Sequence, residues 1–296
     1  MPLLPDNSLE SALTCYLSLN TRVADPKTVL QYRLALANLQ LAAGRVLAIS
    51  DLSDDRVAGM MLMLREKNLA ARTINDRRAR IHAFWTWLAR RGYVHTWPTT
   101  QSLAEPERIP EAWSEKQMRA LFNAAACERR KIGGCPAWLW WTCLLSIAWD
   151  TGERIGAILQ CDWPMVDFDG RWLTIPAESR KGKRKDMLYK LSPETISALW
   201  MLRKHGQEKI LPWDRHPSYL WTAYGNLLRA AGLPSDRKSK FHRLRKSVAT
   251  HYEAAGYDAQ KLLGHSSRSL TEKYLDPRFL TRDHAADVLF RPNLPR

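Results

Sequence analysis

Apolar side chains recur at helical spacing through the first third of the chain. Asp25-Pro26 is a helix-start signal with proline in the first turn, and apolar residues then recur about every third or fourth position from 29 to 41. A second helix is expected to open at residues 52–55, where Leu52 precedes a serine and two aspartates, and a third to span about 71–91. The inward face of this third helix consists of large apolar residues: Ile74, Ile81, Phe84, Trp85 and Leu88. The pattern predicts a helical N-terminal domain over residues 1–93.

The stretch 94–113 has little periodicity and contains three prolines, so we expect a linker between two domains. Ser114, with Gln117 three residues later, forms a capping box that predicts the first helix of a second domain over residues 114–296. The most apolar run of that domain, residues 137–149, contains four tryptophans. It is too short to cross a bilayer, so we expect a buried core helix and no membrane association.

The periodicity changes from helical to strand-like after residue 154. Residues 165–168 and 171–175 flank an Asp-Gly turn and are expected to form a hairpin, with a third strand at about 187–191. Helices are expected again at 193–205, 218–231 and 242–255. The predicted fold is therefore mainly α-helical with a small antiparallel β-sheet.

The net charge of the chain indicates which kind of molecule it binds. The formal charge is +15 and the pI about 9.8, and clustered basic residues of this kind indicate nucleic-acid binding. The candidate DNA contacts are the cations of these clusters: Arg72, Arg77, Arg78, Arg80, Lys183, Lys185, Lys238, Lys240, Arg243 and Lys246. The five cysteines include no CxxC pair, so neither disulfides nor a zinc site is expected. The N-terminus lacks a signal-peptide pattern, which favours a cytoplasmic protein.

Polar residues with related chemistry are spread over the second domain. They are Arg154 in TGERIGAIL, the lysines of SRKGKRK, His242 and Arg245 in FHRLRK, His265 in LLGHSS and Tyr274 in EKYLDP. His242 and Arg245 stand three residues apart on a predicted helix and therefore share a face. Guanidinium groups bind a phosphodiester by its non-bridging oxygens and a phenol can attack phosphorus, so the set suits phosphoryl transfer without a metal.

The order and spacing of these motifs resemble the tyrosine recombinase (phage integrase) family. Its pattern is an arginine in TGxRxxE, a lysine in a β-hairpin, HxxR, LGHxx, and a tyrosine nine positions after the last histidine; the resemblance covers about residues 25–280. It implies a helical, SAM-like core-binding domain ahead of a catalytic domain. It also implies a site-specific recombinase (integrase) that acts on double-stranded DNA as a tetramer on two sites. Such an enzyme needs neither cofactor nor metal and works in the cytoplasm, at the nucleoid.

The resemblance implies a role for each motif residue. Tyr274 would be the nucleophile that forms a 3′-phosphotyrosyl link, since the rival tyrosines at 252 and 257 lack the family spacing. Arg154 and Arg245 would bind the scissile phosphate. His242 would form a hydrogen bond there or transfer a proton, and His265 would form a hydrogen bond to the phosphate.

The catalytic lysine has three candidates. Lys181, Lys183 and Lys185 all fall in the expected hairpin loop. We prefer Lys181 as the general acid for the leaving 5′-hydroxyl, with Lys183 second. The other basic residues of the loop are expected to contact the DNA backbone.

One position departs from the family pattern. Ala157 stands where the family has an acidic residue, and Glu153 and Asp162 are the candidates to replace it. The departure keeps open a catalytically weak or inactive DNA-binding protein of the same fold. A type IB topoisomerase-like DNA relaxer would use the same residues and is the other alternative.

The end of the chain carries two further expectations. Ser269 and Glu272 predict a second capping box, which would place Tyr274 just over one turn into a helix that Pro277 ends. Apolar residues between 280 and 290 lie on one side of a further short helix. A helix this short needs a partner surface, either its own domain or a neighbouring protomer.

Overall fold

The computed structural model describes residues 6–20, 25–180, 185–280 and 288–289. The chain divides into two compact units, residues 1–107 and 108–296. The boundary between them falls inside the stretch 94–113, which is neither helix nor strand.

The first unit is built, over its described residues, from α1 (Leu9–Leu19), α2 (Pro26–Ala43), α3 (Asp54–Glu66) and α4 (Ala71–Arg90). α2 starts where Asp25 accepts a hydrogen bond from the Lys27 N–H and ends at Gly44, which adopts the left-handed conformation. The inward faces of the helices, with Phe84 and Trp85 fully enclosed, form one core.

Helix α1 was missed by the sequence-based prediction, which began at Asp25. Its signals are nevertheless present. Ser8 caps the helix by accepting the Ser11 N–H, and Leu9, Leu13 and Tyr16 lie buried on one face.

The second unit opens with α5 (Glu115–Ala126). The Ser114 hydroxyl accepts the Gln117 N–H and the Gln117 side chain accepts the Ser114 N–H, which confirms the predicted capping box. α6 (Ala137–Thr151) is the central helix, with Trp140 and Trp141 at most 1% exposed, so the predicted buried helix is also confirmed. Within the described ranges, no helix is long and apolar enough to cross a membrane.

Two small antiparallel sheets accompany these helices. Strands β1 (Lys131–Ile132) and β2 (Cys135–Pro136) pair across two glycines ahead of α6, a hairpin that the sequence analysis missed. After the short α7 (Ile155–Ile158), strands β3 (Val166–Asp167), β4 (Trp172–Ile175) and β5 (Met187–Lys190) pair in that order. The predicted hairpin and third strand are thus confirmed.

Helices α8 (Pro193–Arg203), α9 (Pro217–Ala230) and α10 (Phe241–Ala254) lie within two residues of the predicted limits. The short helices α11 (Ala259–Leu263) and α12 (Arg268–Glu272) complete the described part of the unit. The fold class, mainly α with small antiparallel sheets, is confirmed.

The prediction for the start of the last helix was wrong. α12 begins after Ser267, so Ser269 lies inside it, where its hydroxyl is 3.1 Å from that of Ser267. Glu272 is the last helical residue and extends toward Arg268, too far along the chain to cap the N-terminus. Tyr274 therefore lies in the turn after α12, and Pro277 opens a short 3-10 turn. Most of the predicted helix at 280–290 falls outside the described residues.

Candidate functional site

Arg154 stands at a sharp break between two helices. α6 ends at Gly152, which has a φ of +61°, and Arg154 is the N-cap residue of α7. A Cβ atom at residue 152 would lie 2.9 Å from Leu263 Cδ2 and 3.1 Å from Val248 Cγ1. Glycine thus allows the turn and the close approach of α10 and α11, and it leaves the Arg154 side chain 36% exposed.

Arg245 projects from α10 into the interior, where its side chain is only 3% exposed. One terminal nitrogen, Nη1, donates to the Gly152 carbonyl, and Nη2 donates to the Leu263 carbonyl at 3.2 Å. Nη2 also lies 3.3 Å from His265 Nε2. The buried Nε has no hydrogen-bond partner among the described residues, so this guanidinium retains an unused donor.

Tyr274 packs against both candidate histidines. Its ring centroid lies 5.0 Å from that of His242 and 4.9 Å from that of His265. The Arg245 guanidinium carbon is 5.7 Å from the same ring. The residues of HxxR, LGH and the late tyrosine are therefore in one place, although Tyr274 stands 32 positions after His242 in the chain.

Both histidines are kept neutral by their surroundings. Desolvation, followed by Arg245 and Arg154, lowers the pKa of His265 to about 4. Desolvation, then Lys246, Arg245 and Arg154, lowers the pKa of His242 to about 4 as well. More than a third of His242 is exposed, so water offsets part of this effect there. His265 is less exposed than His242, and both rings favour the neutral form.

The neighbours of His265 also fix its tautomer. Arg245 can only donate, so His265 Nε2, at 3.3 Å, must be the acceptor. The proton then resides on Nδ1, which lies 3.1 Å from the Thr271 hydroxyl oxygen. The ring is held at both nitrogens, with its lone pair directed at the guanidinium.

The segment around Tyr274 is anchored to α10. The Thr250 hydroxyl donates to the Tyr274 carbonyl at 3.2 Å and accepts the Asp276 N–H at 2.9 Å. The fully buried Asp276 carboxylate accepts the Ala112 N–H at 2.8 Å and pairs with Arg278 at 2.6 Å. These bonds hold the chain in place at the Tyr274 carbonyl and at residue 276, directly after the tyrosine.

Two of the three candidate lysines, Lys181 and Lys183, lie outside the described residues. Lys185, at the far end of the loop, is described and exposed. At the near end stands Arg180, whose side chain is only 8% exposed. The choice among the lysines therefore stays a prediction.

The candidate DNA contacts of α4 have diverse surroundings. Arg72 is exposed, with 89% of its side chain accessible. Arg77 is 13% exposed and donates to Gln31 at 2.6 Å, and Arg78 donates to the Thr100 carbonyl at 2.6 Å. Arg80 lies over the Tyr32 ring. The last three arginines thus have structural contacts within the first unit, whereas Arg72 is mostly exposed and has an exposed ion pair with Glu105 at 3.7 Å.

The basic residues before and within α10 also include both exposed and enclosed side chains. Lys238 is exposed, and Lys240 is partly covered with its ammonium 3.1 Å from the Trp221 carbonyl. Arg243 stacks over the Trp113 ring at 3.7 Å with its side chain 12% exposed, and burial lowers the pKa of Lys246.

The sequence analysis did not predict the buried ion pair between Glu153 and Arg180. The Glu153 side chain has no exposed surface and pairs with Arg180 at 2.7 Å. Glu153 was named only as a possible replacement for an acid at 157, and Arg180 was not singled out. The signal for Glu153 was its position beside Arg154, whereas Arg180 was hidden in a run of basic residues. Among the described residues no cluster of three or more histidine, cysteine or acidic side chains forms a metal site.

Comparison with known proteins places this geometry in a family. The model of the phage integrase family matches residues 112–280, and that of the phage integrase N-terminal SAM-like domain matches residues 13–92. Tyrosine recombinase XerC of Neisseria meningitidis serogroup C / serotype 2a is 27% identical over 245 residues, which is 80% of this chain and 77% of the relative.

Solved structures share the fold. A lambda integrase dimer bound to a COC′ core site superposes with a TM-score of 0.72 at 20% identity, over 94% of this chain and 98% of the other. A lambda integrase tetramer bound to a Holliday junction gives a TM-score of 0.70 at 21% identity, over 94% and 81%. With its catalytic domain and its SAM-like domain both matched, the chain belongs to the phage integrase family, the tyrosine recombinases.

Proposed function

We propose that this protein is a site-specific DNA recombinase that cleaves and rejoins double-stranded DNA through a 3′-phosphotyrosyl link at Tyr274. The observation that carries the proposal is the convergence of the Tyr274 ring with His242, His265 and Arg245 in one unit. Membership of the phage integrase family supports the same reaction.

The reaction is a pair of phosphoryl transfers. The Tyr274 oxygen attacks phosphorus, the bond from phosphorus to the 5′-oxygen breaks, and Lys181 gives that oxygen its proton. The 5′-hydroxyl of a partner strand then attacks the phosphotyrosine and releases the phenol, so the bond energy is conserved and no nucleotide is hydrolysed.

Arg154 and Arg245 stabilise the charge on the non-bridging oxygens during both steps. The half-exposed Arg154 and the buried Arg245 belong to different elements. Two guanidinium groups that bind one phosphate have to reach it from different directions. The phosphate would also change His265. Repulsion by Arg245 and Arg154 adds to desolvation in keeping this ring neutral. An anion beside the imidazole offsets that repulsion, so it favours proton uptake and donation from Nε2 to the phosphate.

Both domains are proposed to bind duplex DNA. Support comes from the formal charge of +15 and from the lambda integrase structures, which are bound to a core site and to a Holliday junction. We extend the proposal to the assembly and its setting. The protein would act as a tetramer on two DNA sites, in the cytoplasm at the nucleoid. The DNA that it recombines would belong to a mobile element.

Covalent trapping tests the proposal. On duplex DNA with a nick just beyond the cleavage position, the short cleaved fragment diffuses away and the protein stays attached. We expect wild-type protein to form an adduct resistant to denaturant, and Tyr274→Phe to form none while it keeps its DNA affinity. Tyr252→Phe is the matched control, because Tyr252 stacks on Tyr257 away from the motif residues.

The same assay discriminates the alternatives. An adduct that persists in Tyr274→Phe would show that another residue is the nucleophile. Wild-type protein that binds its site but never forms an adduct would be an inactive DNA-binding protein. Adduct formation with relaxation of supercoiled DNA, but without exchange between two sites, would indicate a topoisomerase-like relaxer.

A further inference from the structure

A fully buried carboxylate joins several segments of the site. Glu153 Oε2 accepts hydrogen bonds from Arg180 Nε at 2.7 Å and from the Tyr189 hydroxyl at 3.0 Å. Oε1 accepts the Arg154 N–H at 2.7 Å and lies 3.4 Å from Arg245 Nη1. One side chain thus contacts the α6–α7 break, the base of the basic loop, strand β5 and helix α10.

The carboxylate stays ionised although it is enclosed. Burial raises the pKa of Glu153, but Arg245, the Arg154 N–H and Arg180 together outweigh burial, and the pKa lies below its usual value. A negative charge therefore lies between cations that would otherwise repel one another. Removing one partner of a buried ion group leaves the other charges uncompensated, so the arrangement depends on this carboxylate.

Glu153 also acts on the histidine motif through its two guanidinium partners. Arg245 Nη2 and Arg180 Nη2 both donate to the Leu263 carbonyl, at 3.2 and 3.4 Å. That carbonyl stands two residues before His265, whose Nε2 faces Arg245. Two like charges can share one carbonyl in this way because the carboxylate that contacts both of them offsets their repulsion.

We infer that Glu153 is the positioning residue that holds Arg154 and Arg245 ready for the scissile phosphate, in place of the acid that position 157 lacks. This inference rests on the proposed function. The rival candidate, Asp162, does not meet the requirement, because its Oδ1 is buried without a hydrogen-bond partner in the described part of the chain.

Glu153→Gln tests the inference, since it removes the charge and keeps the shape. Adduct formation would be measured on two nicked substrates, one with a normal scissile phosphodiester and one with a methylphosphonate there. A methylphosphonate carries no negative charge, so its cleavage depends less on correctly held guanidinium groups.

We expect Glu153→Gln to slow adduct formation on the phosphodiester about 10- to 100-fold, the usual loss for a residue that orients a reacting group. DNA affinity is expected to stay at the wild-type value. On the methylphosphonate the deficit relative to wild type is expected to shrink to within about threefold, because less charge needs stabilisation.

Asp162→Asn is the matched control, since it makes the same chemical change in another enclosed carboxylate of the domain. It is expected to cleave both substrates at the wild-type rate. Glu153→Asp keeps the charge but shortens the side chain, and an intermediate defect is expected. Circular dichroism and thermal unfolding establish that each variant is folded; should Glu153→Gln not fold, Glu153→Asp on the two substrates decides the question.

The outcomes separate this inference from the function on which it rests. Wild-type rates for Glu153→Gln on the phosphodiester would overturn the positioning role. Equal losses on both substrates would also overturn it, because they would indicate a general structural effect. Absence of any adduct from wild-type protein would instead overturn the proposed function.

Discussion

His265 is expected to make the stability of the folded protein depend on pH. Its pKa in the folded protein is about 4, against about 6.5 in an unfolded chain. Between these values the unfolded state binds more protons than the folded state. The free energy of unfolding therefore keeps the full contribution of neutral His265 above about pH 6.5. It loses that contribution as the pH falls toward 4.

His265→Asn should remove this dependence. Between pH 7 and pH 4.5 the free energy of unfolding of the variant is expected to fall by about 1–2 kcal/mol less than that of wild type, once solvent screening is allowed for. Urea unfolding at the two pH values measures the difference. His205→Asn, at an exposed histidine, should behave like wild type, and an equal pH dependence in all three proteins would contradict the prediction.

The sequence located the candidate reacting residues, and it left two candidates, Glu153 and Asp162, for the carboxylate proposed to position them. Arg154, His242 and Tyr274 stand in motifs whose spacing is visible in the chain. The choice between Glu153 and Asp162 depends on which carboxylate faces the buried arginines, and that follows from packing between α6, α10 and the sheet. In the sequence Arg180 could not be told apart from the basic residues beside it. Its burial depends on the packing of the folded chain, which the residue type alone does not reveal.

Gly152 sets how closely two helices approach the break after α6. Gly152→Ala adds a Cβ atom 2.9 Å from Leu263 Cδ2 and strains a residue with a φ of +61°. We expect a loss of about 2–4 kcal/mol in the free energy of unfolding, from left-handed strain together with overpacking.

Gly256→Ala is the control for that substitution. Gly256 also has a positive φ, +87°, but no atom lies within 4 Å of an added Cβ. The left-handed backbone strain alone should then lower the free energy of unfolding of Gly256→Ala by about 1 kcal/mol. Denaturant unfolding of both variants measures the difference, and similar losses would show that the approach of Leu263 and Val248 is not tight.

Helix boundaries were predictable where local chemistry decides them. Ser114 and Gln117 satisfy each other's backbone groups within four residues, so the start of α5 could be read from the sequence. The start of α12 could not, because Ser267 and Ser269 offer the same local cap chemistry, and the helix begins after Ser267 without a side-chain cap hydrogen bond. Tyr274 consequently lies in the turn that follows the helix.

The net charge of the molecule predicts a steep salt dependence of DNA binding. Each phosphate that a cation neutralises adds about 0.9 to the slope of log K against log salt. Lys238→Ala, at an exposed lysine, is expected to reduce the slope by about that amount. Filter binding or fluorescence anisotropy over a range of salt concentrations measures it.

Arg203→Gln is the matched charge-removal control. Arg203 lies over the Trp163, Phe168 and Trp200 rings and is not among the proposed DNA contacts. Its loss should leave the slope unchanged. A flat salt response of wild-type protein, or equal changes in both variants, would show that binding does not depend on this basic cluster.

The bonds that anchor the tyrosine segment determine which protomer cleaves which strand. Thr250 holds the Tyr274 carbonyl and the Asp276 N–H of the same chain. The Tyr274 ring therefore stays near Arg245 of its own domain, and each protomer is expected to attack in cis. Mixing Tyr274→Phe with Arg154→Gln should accordingly yield no adduct on the nicked substrate, since neither protein can supply what the other lacks.

An adduct from that mixture would show that the tyrosine crosses between protomers. If attack is in cis, the reacting centres in an assembly are independent units. A defective protomer then removes one centre and cannot be complemented by its neighbours, so adduct formation in a mixed population is expected to decline in proportion to the fraction of defective copies.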